Sequence, residues 1–148
     1  MSFSDHDHSA CRDRSRRAAE ARRARGARLT PIRARVLDIL SREHRALGAY
    51  DILDVLRAEG RPAQPPVAYR ALDFLVAQGL AHRVERVNGY VACARPDDDH
   101  APAFLICRRC AAVEEAAAPP LGDLAPGFAV EAASVEAEGL CPGCADAP

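Results

Sequence analysis

Apolar residues recur every three or four positions in three successive stretches of the chain. Ile32, Val36, Ile39 and Leu40 fall at i, i+4, i+7 and i+8 behind Thr30-Pro31, a capping residue followed by a proline suited to the first helical position. Ile52, Leu53 and Leu56 give the inner face of a second helix over 49–59, stopped by Gly60. Ala68, Leu72, Leu75 and Val76 give that of a third over 66–78, opened by Pro66 and stopped by Gly79. Tyr69, Arg70 and Asp73 remain on its outer face. Upstream, the Ala and Arg of 12–25 favour helix up to Gly26, and 1–11 reads as a mobile tail.

After the helices the period changes to two. Segments 81–86 and 90–94 flank Asn88-Gly89, which predicts a hairpin with a type I′ turn. Three helices and then a two-stranded hairpin is the order of a winged helix, here 12–94, with 66–78 as the reading helix and the hairpin as the wing. Residues 95–102 hold Pro96, Asp97, Asp98, Asp99 and Pro102 and suit a hinge. Beyond it, 103–107, 111–115 and 128–137 read as strands, and Pro119-Pro120 and Pro126-Gly127 bracket a short helix or loop. The fold class is therefore α+β: an N-terminal winged helix of the DNA-binding kind, then a small unit over 103–148, which the family resemblance described below implies to be an α/β dimerisation domain.

Charge sharpens this division. Residues 1–92 carry 17 Arg and 11 acids, whereas 93–148 carry 3 Arg and 10 acids. A basic first half points to a polyanion partner. The absence of Lys in favour of Arg is a composition bias and adds nothing, but the segregation does. Eight Arg lie between 12 and 28, as an arm along phosphates or as a solvated helix.

The second half has few large apolar side chains, and a unit of that size needs help to build a core. Two Cys-x-x-Cys pairs, Cys107/Cys110 and Cys141/Cys144, supply it. Each pair offers two sulfurs from one tight turn, and four thiolates make the tetrahedral set that structural zinc favours. A gap of 30 residues between the pairs means that such a site clamps a whole subdomain. A disulfide pair and a redox dithiol are the other readings. Residues 1–15 lack an apolar signal core and no run is long enough to span a membrane, so a cytoplasmic location is expected, where cysteines stay reduced or hold metal. His6, His8 and Cys11 have ligand chemistry too, but belong to the expected tail.

In combination, Leu29-Thr30-Pro31, Ala49-Tyr50-Asp51, the run Tyr69-Arg70-Ala71-Leu72-Asp73-Phe74-Leu75 and the two cysteine pairs resemble the ferric uptake regulator (Fur) family over about residues 28–144. The Tyr-Arg-Ala-Leu-Asp-Phe-Leu run, with His82, Cys93 and His100, is most similar to its zinc-sensing branch. The resemblance implies a homodimeric repressor that binds palindromic operator DNA when zinc is bound and controls zinc-uptake genes. It implies no membrane partner, no small-molecule substrate and no enzymatic activity. It implies a second, regulatory zinc on His82, Cys93, His100 and Glu115, hence two zinc ions per subunit; Glu114 or one of Asp97 to Asp99 is an alternative to Glu115. Cys93 matters because a thiolate favours a softer metal than Mn2+. The resemblance further places DNA contacts at Tyr50, Tyr69 and Arg70, and a dimer–dimer contact at Asp54 and Arg57.

Each residue also has a plainer role. His82 fits a surface strand, Cys93 a small buried site, His100 a solvated hinge and Glu115 a surface acid. The tyrosines fit packing positions, and Asp54–Arg57 fits a local i, i+3 ion pair. The family pattern is broken at Val67-Ala68, where Thr-Val is usual, and in the short proline-rich segment after Glu115. Competing functions are a family member sensing iron, manganese or peroxide, and a zinc-dependent or dithiol enzyme. No His-Glu-x-x-His motif supports a zinc hydrolase.

Overall fold

The structure, a computed structural model, describes residues 8–24, 26–96 and 101–146. His100, part of the expected metal set, and Asp97 to Asp99 lie outside the described residues, as does His6. The first helix, α1 (His8–Ala24), begins four residues before the sequence reading placed it, so part of the expected tail is helical. No Gly or Pro lies in that stretch to stop a helix.

α2 (Pro31–Ser41) starts as predicted: the Thr30 hydroxyl accepts from the Arg33 amide at 3.4 Å and Pro31 occupies the first turn. α3 (Ala49–Ala58) follows Gly48, whose amide donates to Asp51 Oδ2 at 2.9 Å. α4 (Pro65–Ala77) ends at Gly79 with φ +72°, where the Leu80 amide reaches back to the Leu75 carbonyl at 2.9 Å. That left-handed residue is what glycine provides at a helix end. Val36, Leu40, Ile52, Leu53, Leu56, Leu72, Leu75 and Leu80 form one buried cluster among these helices. Two inner-face assignments differ. Leu37 is buried as well, and Val76 is 39% exposed, because α4 turns that edge away from its neighbours.

The wing is β1 (Ala81–Val84) and β2 (Gly89–Ala92), antiparallel with Val84 opposite Gly89. Its turn is not the predicted type I′. Glu85–Val87 forms a 3-10 turn, and only Asn88 has positive φ, 49°. Gly89 is needed for another reason: a Cβ there would stand 2.9 Å from the Ala46 Cβ. The hairpin presses on the segment before α3, and Leu47 and Tyr90 exchange backbone bonds of 2.9 and 2.8 Å.

The remaining strands form one sheet in the order β4-β3-β5. β3 (Pro102–Cys107) pairs antiparallel with β4 (Val113–Ala117) and parallel with β5 (Val135–Gly139). β5 is shorter and later than the predicted strand 128–137, because β3 begins at Pro102 and offers no partner to residues before Val135. A 3-10 turn at Gly122–Leu124 occupies the proline-bracketed segment, and a single helical turn, α5 (Pro142–Ala145), carries Cys144.

Sheet and wing meet over an apolar junction. Val84 of β1 is buried against Phe104 and Ile106 of β3, with Ala46, Val91 and Val113 around them. The Val113 amide donates to the His44 carbonyl at 2.7 Å, so β4 also touches the loop before α3.

Candidate metal centres and nucleic-acid interface

The β3–β4 turn carries Cys107 and Cys110, and the segment after β5 carries Cys141 and Cys144. Parallel pairing of β3 and β5 runs through Cys107 opposite Gly139, which brings the two knuckles to the same end of the sheet. One sulfur from each of the four lies within 4.8 Å of all the others. Cys110 Sγ and Cys141 Sγ are 3.7 Å apart. Sulfurs on a tetrahedral zinc with bonds of about 2.3 Å are separated by about 3.8 Å, whereas a disulfide needs about 2.05 Å. The spacing fits a metal-bridged set and not a bonded pair, and all four cysteines are free.

The four thiols are poised unequally. Backbone amides of Cys141 and then Cys110 stabilise the Cys107 thiolate and lower its pKa to about 6. Cys144, beside Cys141 and partly desolvated, is pushed up to about 12. Without a cation, crowding therefore favours a thiolate at Cys107 and resists a second charge at Cys144.

A second set forms where wing meets sheet. His82 comes from β1, Cys93 directly follows β2, and Glu115 comes from β4. Their donor atoms lie within 4.8 Å of one another. His82 Nε2 is 3.1 Å from Glu115 Oε1. The Cys93 thiol donates to Glu115 Oε2 at 3.8 Å, and the Ala94 amide donates to Oε1 at 3.4 Å. The Glu115 side chain is only 4% exposed, whereas Glu114, the alternative considered from sequence, points to solvent. The His82 ring packs on Phe104, centroid to centroid 5.5 Å. Burial, with the Glu115 charge beside it, pushes the Cys93 thiol up to about 12. An approaching dication would offset both penalties. Nitrogen, sulfur and oxygen donors in a half-dry pocket fit a borderline metal such as Zn2+.

The expected DNA-contacting residues are all on the surface. Tyr50, on the first turn of α3, is 63% exposed, Tyr69 on α4 is 44% exposed, and Arg70 beside it is exposed. Neither tyrosine is a packing residue. Asp54 and Arg57 are exposed on α3, and Arg57 Nε donates to the Ala63 carbonyl at 3.2 Å.

These features together, a winged helix joined to a sheet that carries a four-cysteine cluster, fit a family match over residues 24–135 to "Ferric uptake regulator family". The chain belongs to the ferric uptake regulator family. It is 44% identical over 129 residues to the Zinc uptake regulation protein of Escherichia coli (strain K12), covering 82% of this chain and 75% of that one. A zinc uptake regulator solved in complex with zinc and DNA superposes with a TM-score of 0.84 at 40% identity, over 93% of this chain and 97% of that chain. XcZur superposes with TM-score 0.77 in its holo form (40% identity, 95% and 100% covered) and 0.53 in its apo form (38% identity, 91% and 97% covered).

From sequence, Arg22 is grouped with Arg28 as a residue of a phosphate-contacting arm; its role in packing was not legible. In the structure its Nε donates to the Gln78 carbonyl at 3.1 Å and its Nη2 to the Pro96 carbonyl at 2.6 Å. It ties α1 to the end of α4 and to the start of the expected hinge, so α1 is a packed helix and not a free arm. The available signal was spacing: Arg22 lies i+4 and i+3 from Ala18 and Ala19, both buried.

Proposed function

We propose that this member of the family is a zinc-responsive transcriptional repressor. As a homodimer it binds palindromic operator DNA when zinc is bound, and it controls zinc-uptake genes in the cytoplasm. Residues 12–94 act as the winged-helix domain, 95–102 as the hinge and 103–148 as the dimerisation domain. Among the described residues no helix is long and apolar enough to cross a membrane.

The observation that carries this reading is the convergence of His82, Cys93 and Glu115 from both sides of the domain junction. These residues, with His100 as the expected fourth ligand, would hold a metal, which would tie the wing to the sheet. The Cys93 sulfur favours zinc over the harder Mn2+. The four cysteines hold a second, structural zinc, giving two per subunit. The 40–44% identity to zinc uptake regulators supports the choice of metal.

In this mechanism the protein's own residues do the positioning. Phe104 and Val84 keep the junction dry, and the single Glu115 carboxylate accepts from the Cys93 thiol and faces the His82 ring. Tyr50, Tyr69 and Arg70 then face the major groove, Arg70 offering two donors to a guanine edge. Asp54 and Arg57 lie outward for a contact between neighbouring dimers. Dimerisation is supported by apolar residues left on the second half: Leu105, Val130, Leu140 and Phe128, the last 70% exposed. The superposition is better with zinc- and DNA-bound or holo relatives than with the apo form, which supports an operator-competent domain arrangement here.

The deciding experiment measures operator affinity against free Zn2+, Fe2+ and Mn2+ in parallel. Tight, sequence-specific binding only with Zn2+ is expected. A response to Fe2+ or Mn2+ at equal or lower free concentration would overturn the metal assignment.

A further inference from the structure

The junction has a second polar fastening, two strands across the sheet from Glu115. Glu136 of β5 accepts from two consecutive wing amides, Glu85 N to Oε1 at 2.6 Å and Arg86 N to Oε2 at 2.8 Å. Two residues on, Glu138 Oε2 accepts from the Arg86 Nε at 3.3 Å. Alternation along a strand puts Glu136 and Glu138 on one face, the face turned to the wing. Both amides open the 3-10 turn Glu85–Val87, where backbone N–H groups lack partners within the turn itself.

We propose that Glu136 is a positioning residue: it latches the wing turn onto β5 and sets, together with the His82–Cys93–Glu115 junction, the domain orientation that reads the operator. The proposal rests on the reading of that junction as the sensing site. The geometry explains why two fastenings are needed. Glu115 lies on β4 and Glu136 on β5, the two edges of a sheet whose middle strand is β3. With neighbouring strands about 4.8 Å apart, the fastenings are about 10 Å from each other across the sheet. A metal at Glu115 and the Val113–His44 backbone bond both hold the β4 side, and the Val84 contact holds the middle strand, which leaves the β5 edge to be restrained. The Glu136 carboxylate supplies that restraint.

Glu136 reads backbone, so it does not depend on the side chains at 85 and 86. It does depend on having two acceptor oxygens. Glu136→Gln keeps one acceptor and brings a donor against the second amide, and Glu136→Ala keeps neither. Charge-assisted bonds of this kind are the stronger class, reduced here because both partners face solvent. Loss of the latch should weaken operator binding at saturating zinc by about five- to tenfold. By reciprocity the free zinc needed for half-maximal operator binding should rise by a comparable factor.

The test uses full-length wild type, Glu136→Ala, Glu136→Gln and, as a charge control, Glu131→Ala in the exposed segment before β5. Hydrogen exchange at the Glu85 and Arg86 amides, operator affinity against free zinc, non-specific DNA affinity and zinc content are measured on each. Expected are faster exchange at these two amides, weaker operator binding and a higher zinc requirement in Glu136→Ala, with Glu136→Gln intermediate. Zinc content, non-specific affinity and the Glu131→Ala protein should match wild type. Unchanged exchange in Glu136→Ala would show that the latch does not form. Faster exchange with unchanged operator affinity and zinc requirement would show that it positions nothing; either result overturns the proposal. If Glu136→Ala does not fold, the same two outcomes are read from Glu136→Gln. Wild type that binds operator without regard to zinc would sink the sensing reading instead, and the exchange data would still decide whether the latch exists.

Discussion

His82 and Glu115 face each other at 3.1 Å from different sheets, one on the wing and one on the strand that follows the first cysteine knuckle. They lie 33 positions apart in sequence and meet only because Val84 and Phe104 bury each other beside them. The apolar contact and the metal-binding atoms thus occupy one junction, and each helps to position the other.

Replacing a junction ligand should separate sensing from folding. Cys93→Ser protein is expected to fold, dimerise and keep one zinc per subunit, while its operator binding no longer responds to added zinc. Metal analysis after dialysis and a zinc titration of operator binding check this. A normal zinc response in Cys93→Ser would remove Cys93 from the ligand set.

The same residue gives a proton signature. With its thiol pushed up to about 12, Cys93 is protonated at working pH, so metal entry must expel that proton. Zinc affinity at this site should rise with pH, by about tenfold per unit from this ligand alone. Calorimetry in two buffers of different ionisation enthalpy should detect the released proton.

The four-cysteine cluster should behave differently. Structural zinc contributes about 10–16 kcal/mol in small finger peptides, enough to decide whether a half with so sparse a core folds. Cys141→Ser is expected to lose zinc and dimerisation together, seen as reduced metal content and a smaller hydrodynamic size. A dimeric Cys141→Ser protein with full zinc content would contradict the assignment.

On the DNA face, Arg70→Ala should cost about 1–3 kcal/mol and relax preference at one base per half-site. Arg28→Ala, at an exposed residue ahead of α2, should weaken all sequences alike and flatten the salt dependence. Arg22→Ala should not follow Arg28, because its guanidinium is engaged with Gln78 and Pro96. Affinities on operator and scrambled duplexes at several salt concentrations distinguish the three.

The wing also makes a steric prediction. Gly89→Ala brings a methyl to 2.9 Å from the Ala46 Cβ and should cost about 1–3 kcal/mol of stability. Thermal unfolding measures the loss, and Ala46→Gly in the same chain should recover part of it.

Local chemistry was legible from the residues. The 3.6-residue period and the Thr30-Pro31, Pro66 and Gly79 signals placed three helices to within a residue or two. The cysteine spacing led to a cluster that the fold does assemble. What depended on partners distant in sequence was not legible. Phe128 to Ser134 looks like strand, yet β3 offers backbone only to Val135–Gly139. Asn88-Gly89 looks like a two-residue turn, but Gly89 answers to Ala46, forty-three positions earlier. Arg22 is one Arg among many until the helix it stands on is packed. The His82, Cys93, Glu115 set came from resemblance, because nothing in the spacing of single residues reveals a junction.

The parallel pairing of β5 with β3 has a consequence for synthesis. The winged helix is complete by Ala92 and can fold as it leaves the ribosome. The sheet cannot close until β5 emerges, because a parallel neighbour must arrive after a long crossover. Cys141, Cys144 and Glu136 all come with or after that last strand. A nascent chain therefore passes through a stage that has a surface for nucleic acid but neither its second knuckle nor its wing latch. Translation itself delays the moment at which the protein can tell one stretch of DNA from another.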